Sequence, residues 1–342
     1  MYENFFSLSK APFSVVPDPD CTYLTTQHAD AISGLAYGVL ERKGYLALTA
    51  EAGLGKTTAL RVLERLLAES DVLSSVISVP RLNSSEFLEL AMLNFGFREV
   101  PSSKAQRLKR LEEFLIDANA EGKIAALIVD EAHEMSADLL EEIRLLGNFE
   151  SSEQKLLQIV LVGQNQLNDH LNAPELWQLK QRITLRLSLG RLDREAVEAY
   201  INFRWDYAGG SLPTPFSLAA LDAIAAWSQG VPRLVNVICD NALLIAFSES
   251  NRSVDVQSVR EACEELLLPM SPIARAPSFK GARPAALPAE QAGPGITDEP
   301  ANGTAPNSWV AARPALWKRW RGFTHSQKNG RLKTGILLLK EP

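Results

Sequence analysis

The stretch Gly44–Leu60, GYLALTAEAGLGKTTAL, constrains this chain more than any other. Tyr45–Thr49 reads as a buried strand, Ala50–Gly55 as a tight loop, and a helical pattern begins near Lys56. The loop nearly fits the Walker A form G-x-x-x-x-G-K-[ST], with Ala50 where the first glycine is usual. Gly53 and Gly55 let the backbone turn so that successive N–H groups can face phosphate oxygens. The helix that follows directs the positive end of its dipole at the same anion. Lys56 has the reach to meet β- and γ-phosphates, the Thr57 hydroxyl can ligate Mg²⁺, and Thr58 can add a phosphate contact. The loop Ala50, Glu51, Ala52, Gly53, Leu54, Gly55, Lys56, Thr57, Thr58 is therefore a candidate cradle for ATP. Ala50 adds one methyl and restricts positive φ, a mild departure.

The 342 residues leave room for two domains or for one larger fold with a tail, and 46% hydrophobic residues supply a sizeable core. The net charge of −6 is unevenly spread. Residues 275–342 hold eleven Lys/Arg against four Asp/Glu, which leaves the rest of the chain at −13. An acidic body argues against non-specific nucleic-acid binding over the whole surface and leaves open a local basic site. Cys21, Cys239 and Cys263 are scattered and form no C-x-x-C, so a reducing compartment is expected. MYENFFSLSKAPFSVVPDPD has no basic segment followed by an apolar one, and no run of about 18 apolar residues occurs. The expectation is a cytoplasmic protein without a transmembrane segment.

Along the chain, residues 1–26 are aromatic and Pro-rich and read as an arm packed on the core. The sharper alternative is that this arm and the helix after it border an adenine pocket. His28, at that helix start, can be buried, capping or in contact with a base. Residues 27–192 alternate helical segments with apolar runs at Tyr45–Thr49, Val72–Pro80, Ile124–Asp130, Leu156–Gly163 and Ile183–Leu189. IAALIVD and LLQIVLVG are apolar without interruption, as strands buried on both faces of a parallel sheet are. The fold class is thus α/β, a P-loop NTPase parallel sheet with helices on both faces. Residues 193–269 switch to a purely helical pattern, a small lid domain. Residues 270–315 are rich in Pro and Ala and read as a disordered linker, and 316–342 form a basic tail with Trp317 and Trp320. That tail is read either as solvated or as a contact for lipid, nucleic acid or protein.

Asp130 and Glu131 end the strand of ALIVDEAH. A strand-end Asp can hold Mg²⁺ and the adjacent Glu can polarise a water for attack on a γ-phosphate, although acids after a strand also cap helices. DEAH occurs in helicases too, but no second ATPase-like lobe is visible. His133 reads as structural. Gln164, after LLQIVLVG, is placed to bond the γ-phosphate or the water, or to cap the next helix. Arg182 and Arg186, in LKQRITLRLSL, are candidates for a charge-stabilising finger supplied by a neighbouring subunit, with Arg182 preferred. Arg233 of GVPRLVN begins a helix of the second domain and can report on the phosphates from there. The four histidines have no metal-ligand spacing, so Mg²⁺ is the metal expected.

With these motifs in order, residues 1 to about 268 resemble the AAA+ ATPases of the general secretion pathway protein A (ExeA-like) family. The resemblance rests on MYENFFSLSKAPFSVVPDPDCTYLT, RKGYLALTAEAGLGKTTALR, ALIVDEAH, IVLVGQ, LKQRITLRLSL and GVPRLVN. It implies ATP hydrolysis, a helical lid and assembly into a homo-oligomeric ring or filament. By matching position it implies Lys56 and Thr57 as Walker A, Asp130 and Glu131 as Walker B, Gln164 as sensor 1, Arg233 as sensor 2 and Arg182 as the finger. Secretion-type members often continue into a membrane helix and a peptidoglycan-binding domain, where this sequence has its linker and basic tail. A protein partner in secretion or envelope export is the leading expectation. The alternative is a DNA-binding, ATP-dependent transposition regulator of the phage Mu B type.

Overall fold

The structure is a computed structural model that describes residues 1–14, 21–78, 82–151, 154–268 and 335–338. In chain order it runs α1 (Tyr2–Phe5), β1 (Cys21–Leu24), α2 (Thr26–Leu40), β2 (Tyr45–Thr49), α3 (Lys56–Ala68), β3 (Val72–Ile77), α4 (Ser84–Asn94), α5 (Lys104–Ala120) and β4 (Ile124–Val129). It continues with α6 (Ala137–Leu146), β5 (Leu157–Gly163), α7 (Gln166–Leu171), α8 (Trp177–Arg182) and β6 (Ile183–Ser188). The helices α9 (Arg194–Tyr207), α10 (Leu218–Ser228), α11 (Pro232–Ser248) and α12 (Val256–Glu265) follow, then β7 (Gly335–Leu338).

Strands β2 to β6 form one parallel sheet in the order β3-β4-β5-β2-β6. Its apolar runs are unbroken because alternate residues serve two different cores. Leu127, Val129, Ile159 and Leu161 face one layer with Phe87, Leu111 and Leu140. Ala126, Ile128, Val160 and Val162, together with Leu46 and Leu48, face the other with Leu35 and Leu63. Helices α4, α5 and α6 thus cover one face of the sheet, and α2 and α3 the other. Entry into β2 turns at Gly44, whose φ of +83° favours glycine. There the buried Gln158 amide accepts the Gly44 N–H at 2.8 Å and donates to the Lys155 carbonyl at 2.9 Å, so a polar group in the core is satisfied.

The helices after β6 have their own core, built on Val197, Trp205, Ile224, Ile238 and Leu243. The N-terminal arm belongs to this core rather than to that of the sheet: Tyr2, Leu8, Phe13 and Tyr23 are all buried in it. Phe13 meets Phe216 edge-to-face at 5.9 Å. Arg204 of α9 clamps the arm by donating to the Pro12 carbonyl at 2.6 Å and the Ser14 carbonyl at 3.0 Å. Tyr2 hydrogen-bonds Asp240 of α11. Strand β1 pairs in parallel with β7 in a small separate sheet. The remainder of the expected linker and basic tail lies outside the described residues, as does the end of the expected Val72–Pro80 strand beyond Ser78. None of the described helices is long and apolar enough to cross a membrane.

The sheet and the helical region meet at the turn before α11. A Cβ on Gly230 would lie 2.0 Å from the Leu192 carbonyl oxygen, and its φ is +72°, so only glycine fits. Leu192 donates its N–H back to the Gly230 carbonyl at 2.9 Å. Because the arm is an integral part of the helical core, Phe13→Ala should cost about 3–5 kcal/mol of folding stability. Urea unfolding followed by circular dichroism measures this, and a loss below about 1 kcal/mol would mean the arm is merely draped on the surface.

Candidate functional site

The parallel register decides what meets at the carboxyl end of the sheet. Thr49 pairs with Gly163 and Val129 with Leu161, so the loops after β2, β4 and β5 are neighbours. The Ala50 N–H extends the ladder to the Gly163 carbonyl at 3.1 Å. Ala50 is not among the residues with positive φ, and its methyl is buried with Leu54 and Leu189. The first loop position therefore has no need of glycine here. Gly53 and Gly55 do need it, with φ of +82° and +92°, and Gly55 caps the start of α3. Lys56 is buried and folds its ammonium back to donate to the Ala50 and Glu51 carbonyls at 3.2 and 3.4 Å.

A cavity of about 1340 Å³ opens over this loop. Thr57, Thr58, Glu131, Gln164 and Arg233 all line it. Asp130 lies behind, buried, and its Oδ1 accepts the Glu131 N–H at 2.8 Å. Burial, and then the neighbouring Glu131 charge, hold its carboxyl above the ordinary value, while that N–H, Lys56 and His133 pull the other way. A divalent cation would relieve this penalty. No cluster of three or more acidic, His or Cys ligands exists among the described residues. Mg²⁺ does not require one, since a hydroxyl, a carboxylate and phosphate oxygens with water complete its shell. Thr57 and Asp130 fit that pattern.

Glu131 sits in the left-handed region at φ +52°, a strained conformation for a non-glycine residue. Its Oε2 is buried without a hydrogen bond. The His133 Nδ1 approaches that oxygen to 3.3 Å, but the Nδ1 lone pair faces the Gln164 N–H at 3.4 Å. His133 thus joins the ends of β4 and β5 and leaves the Glu131 carboxylate with an acceptor site unused. An unsatisfied carboxylate on a strained backbone beside a phosphate-type loop is suited to taking a proton from water.

Arg182 and Arg186 are elsewhere. Ile183 pairs with Tyr45, so Arg182 lies at the amino end of the sheet, about 15–20 Å along the strand from its own loop. It donates to the Arg144 carbonyl at 3.1 Å and to Asn148 Oδ1 at 2.7 Å. Arg186 pairs with Ala47 in mid-strand and donates to the Lys180 carbonyl at 3.3 Å. Arg233, by contrast, is over the loop, where a Cβ on Gly53 would lie 3.0 Å from both its Cβ and Val231 Cγ1.

Two contacts with the loop had no sequence signal that would reveal them. His28 donates from Nε2 to the Leu54 carbonyl at 2.9 Å, because a carbonyl can only accept, and its Nδ1 then accepts from the Thr25 hydroxyl at 2.7 Å. Burial lowers its pKa, keeping it neutral. Thr25, not His28, caps α2. Arg191 pairs with Glu51 at 2.6 Å and donates to Gln229 at 2.5 Å, tying the loop to the turn before α11. This pair is half-exposed and contributes little energy.

Residues 39–171 match the family model described as an AAA domain. Over 259 residues the chain is 40% identical to general secretion pathway protein A of Aeromonas hydrophila, covering 74% of this chain and 46% of that protein. It is 26% identical over 218 residues to ATP-dependent target DNA activator B of Escherichia phage Mu, covering 63% and 64%. The chain therefore spans less than two thirds of the length of either relative. The fold matches that of the Aeropyrum pernix ORC2 protein with a TM-score of 0.57 at 17% identity, over 75% of this chain and 72% of that one.

The raised Asp130 pKa has a sign that can be tested. Its ionised form costs folding stability at neutral pH, and the cost vanishes as the pH falls through the folded value towards that of the unfolded chain. Asp130→Asn, which keeps an oxygen for the Glu131 N–H, should raise the ligand-free Tm at pH 7 by about 2–4 °C. The gain should shrink on acidification. A Tm that is unchanged or lower at pH 7 would show that the carboxylate bears no such penalty.

Proposed function

We propose that this chain, an AAA+ ATPase related to the general secretion pathway protein A group, hydrolyses ATP with Mg²⁺ to drive assembly or remodelling of a secretion or envelope-export partner. One observation carries the reading. Lys56 and Thr57, Asp130 and Glu131, and Gln164 come from the ends of three neighbouring strands and meet over a single cavity or directly behind it. When bound, Mg·ATP supplies an activated phosphoanhydride, and the remaining work falls to the protein. The N–H groups of Gly53 and of Gly55 to Thr58, with the Lys56 ammonium, hold phosphate oxygens in place. Thr57 and Asp130 would hold the metal. Glu131 accepts the proton of a water lined up with the γ-phosphate, and the Gln164 side chain orients that water. Arg233 brings the helical region onto the phosphates, so that its position follows the state of the nucleotide.

Arg182 is too far from its own loop to act there. In this reading it serves the site of an adjacent subunit, and the working form is a homo-oligomeric ring or filament in the cytoplasm. A second reading is favoured by the phage Mu relative, whose name links ATP to target DNA. On that reading, ATP switches assembly on DNA.

Lys56→Ala should abolish ATP binding in calorimetry, and Glu131→Gln should bind ATP normally while turning over at least about a hundredfold more slowly. Near-wild-type turnover by Glu131→Gln would remove it as the base. Mixing Arg182→Ala with Lys56→Ala subunits should restore part of the activity that each lacks alone, and no recovery would count against a finger acting in trans. Turnover measured with and without double-stranded DNA at low salt separates the two readings. Strong stimulation favours the DNA regulator, and indifference favours a protein partner.

A further inference from the structure

Beyond the phosphate cradle, the cavity continues between β1 and the helical region, where it is lined by Thr22, Tyr23, Leu192, Tyr200, Pro232 and Asn236. Glu131 and Gln164 mark the γ-phosphate end, so the nucleoside leaves the loop on the opposite side, towards these residues. The other extension of the cavity, along α3, carries Arg61, Glu64 and Arg65 beside Val62, Ala68 and Val76, and offers no ring face for a flat base to stack on. The β1 side does, in Leu192, Pro232 and the tyrosine rings.

Asn236 stands one turn after Arg233 on the same face of α11. Its side chain is fixed. The Tyr200 hydroxyl donates to Asn236 Oδ1 at 2.9 Å, and Tyr200 is itself held edge-to-face by Tyr23 at 5.4 Å and by Arg204 at 5.9 Å. In this arrangement the amide oxygen faces the phenol, which donates its one hydrogen to it, and the amide nitrogen turns to the cavity. Asn236 is only 7% exposed, yet its nitrogen has no protein partner among the described residues and is not sealed off from the cavity. A buried pair of N–H donors without an acceptor is a recognition element awaiting one.

We propose that Asn236, oriented by Tyr200, is the residue that selects the base, donating to the ring nitrogen that adenine leaves unprotonated and guanine or hypoxanthine protonates. This rests on the nucleotide-binding reading above and specifies its substrate. Adenine N1 accepts the amide hydrogen. Guanine and hypoxanthine present N1–H at the same place, so donor meets donor and the amide stays unpaired in a buried site.

The wild-type full chain is titrated with ATP, ITP and purine riboside triphosphate, each with Mg²⁺, and with inorganic tripolyphosphate as a probe of the cradle alone. Purine riboside triphosphate keeps N1 bare but lacks the 6-amino group. It should bind within about threefold of ATP, and ITP at least about tenfold more weakly. Asn236→Asp, which replaces the donor with an acceptor, should erase or invert the preference for ATP over ITP. Tyr200→Phe, which releases the amide but keeps the ring, should reduce it severalfold. Both variants should retain tripolyphosphate binding. Equal affinity of the wild type for ATP and ITP, purine riboside triphosphate as weak as ITP, or an undiminished preference in Asn236→Asp would each overturn the assignment. If tripolyphosphate and all three nucleotides fail to bind the wild type, the nucleotide reading itself falls, and this inference with it.

Discussion

The site depends on one constraint, the in-register pairing of β2 with β5. It carries the ladder one residue past the strand, from the Ala50 N–H to the Gly163 carbonyl, and so seats the loop beside Gln164. A shift of one residue would turn every side chain of β2 to the other face, exchanging Leu46 and Leu48 for Tyr45 and Ala47 in the wrong core. The two-sided burial that makes the register costly to change is the same burial that fixes the loop. Stability and site geometry are set by one set of contacts.

The helical region is tied to that loop from two sides. Val231, in the turn after Gly230, is buried with Ala50 and Leu54, which belong to the sheet's core. On the other side, the N-terminal arm is sewn into the helical core and leads through β1 to α2, whose His28 holds the Leu54 carbonyl. Movement of the helical region would therefore be felt at Leu54 and Gly53 through packed side chains. The exposed Arg191–Glu51 pair adds direction to that coupling more than energy.

Much of this was legible in the sequence because it is local. A glycine turn, a strand of unbroken apolar residues and a carboxylate at its end are each defined within ten residues, and β2, β4 and β5 appear where their patterns place them. The helical region was equally visible in its helix-only pattern, and in the structure Asp193, Ser217 and Asp255 cap three of its helices. Strand β1 and helices α6 to α8 were not. CTYL is too short to show a period, and α7 and α8 are six residues each, less than two turns.

What the sequence by itself determined was local: a glycine loop between a strand and a helix, carboxylates closing an apolar strand, and the α/β class that sets them at strand ends. What only tertiary structure decided was company and distance. Ala50 is acceptable because its methyl has a core to enter, a fact about Leu54 and Leu189 and not about the motif. The arm lies in the helical core because Arg204, about 190 residues away, accounts for its carbonyls. Arg182 and Arg233 are equally plausible on paper as phosphate ligands. Strand register removes the first from its own loop and a glycine-only turn lays the second on it, since direction along a sheet and contact across a turn are properties of packing, not of spacing.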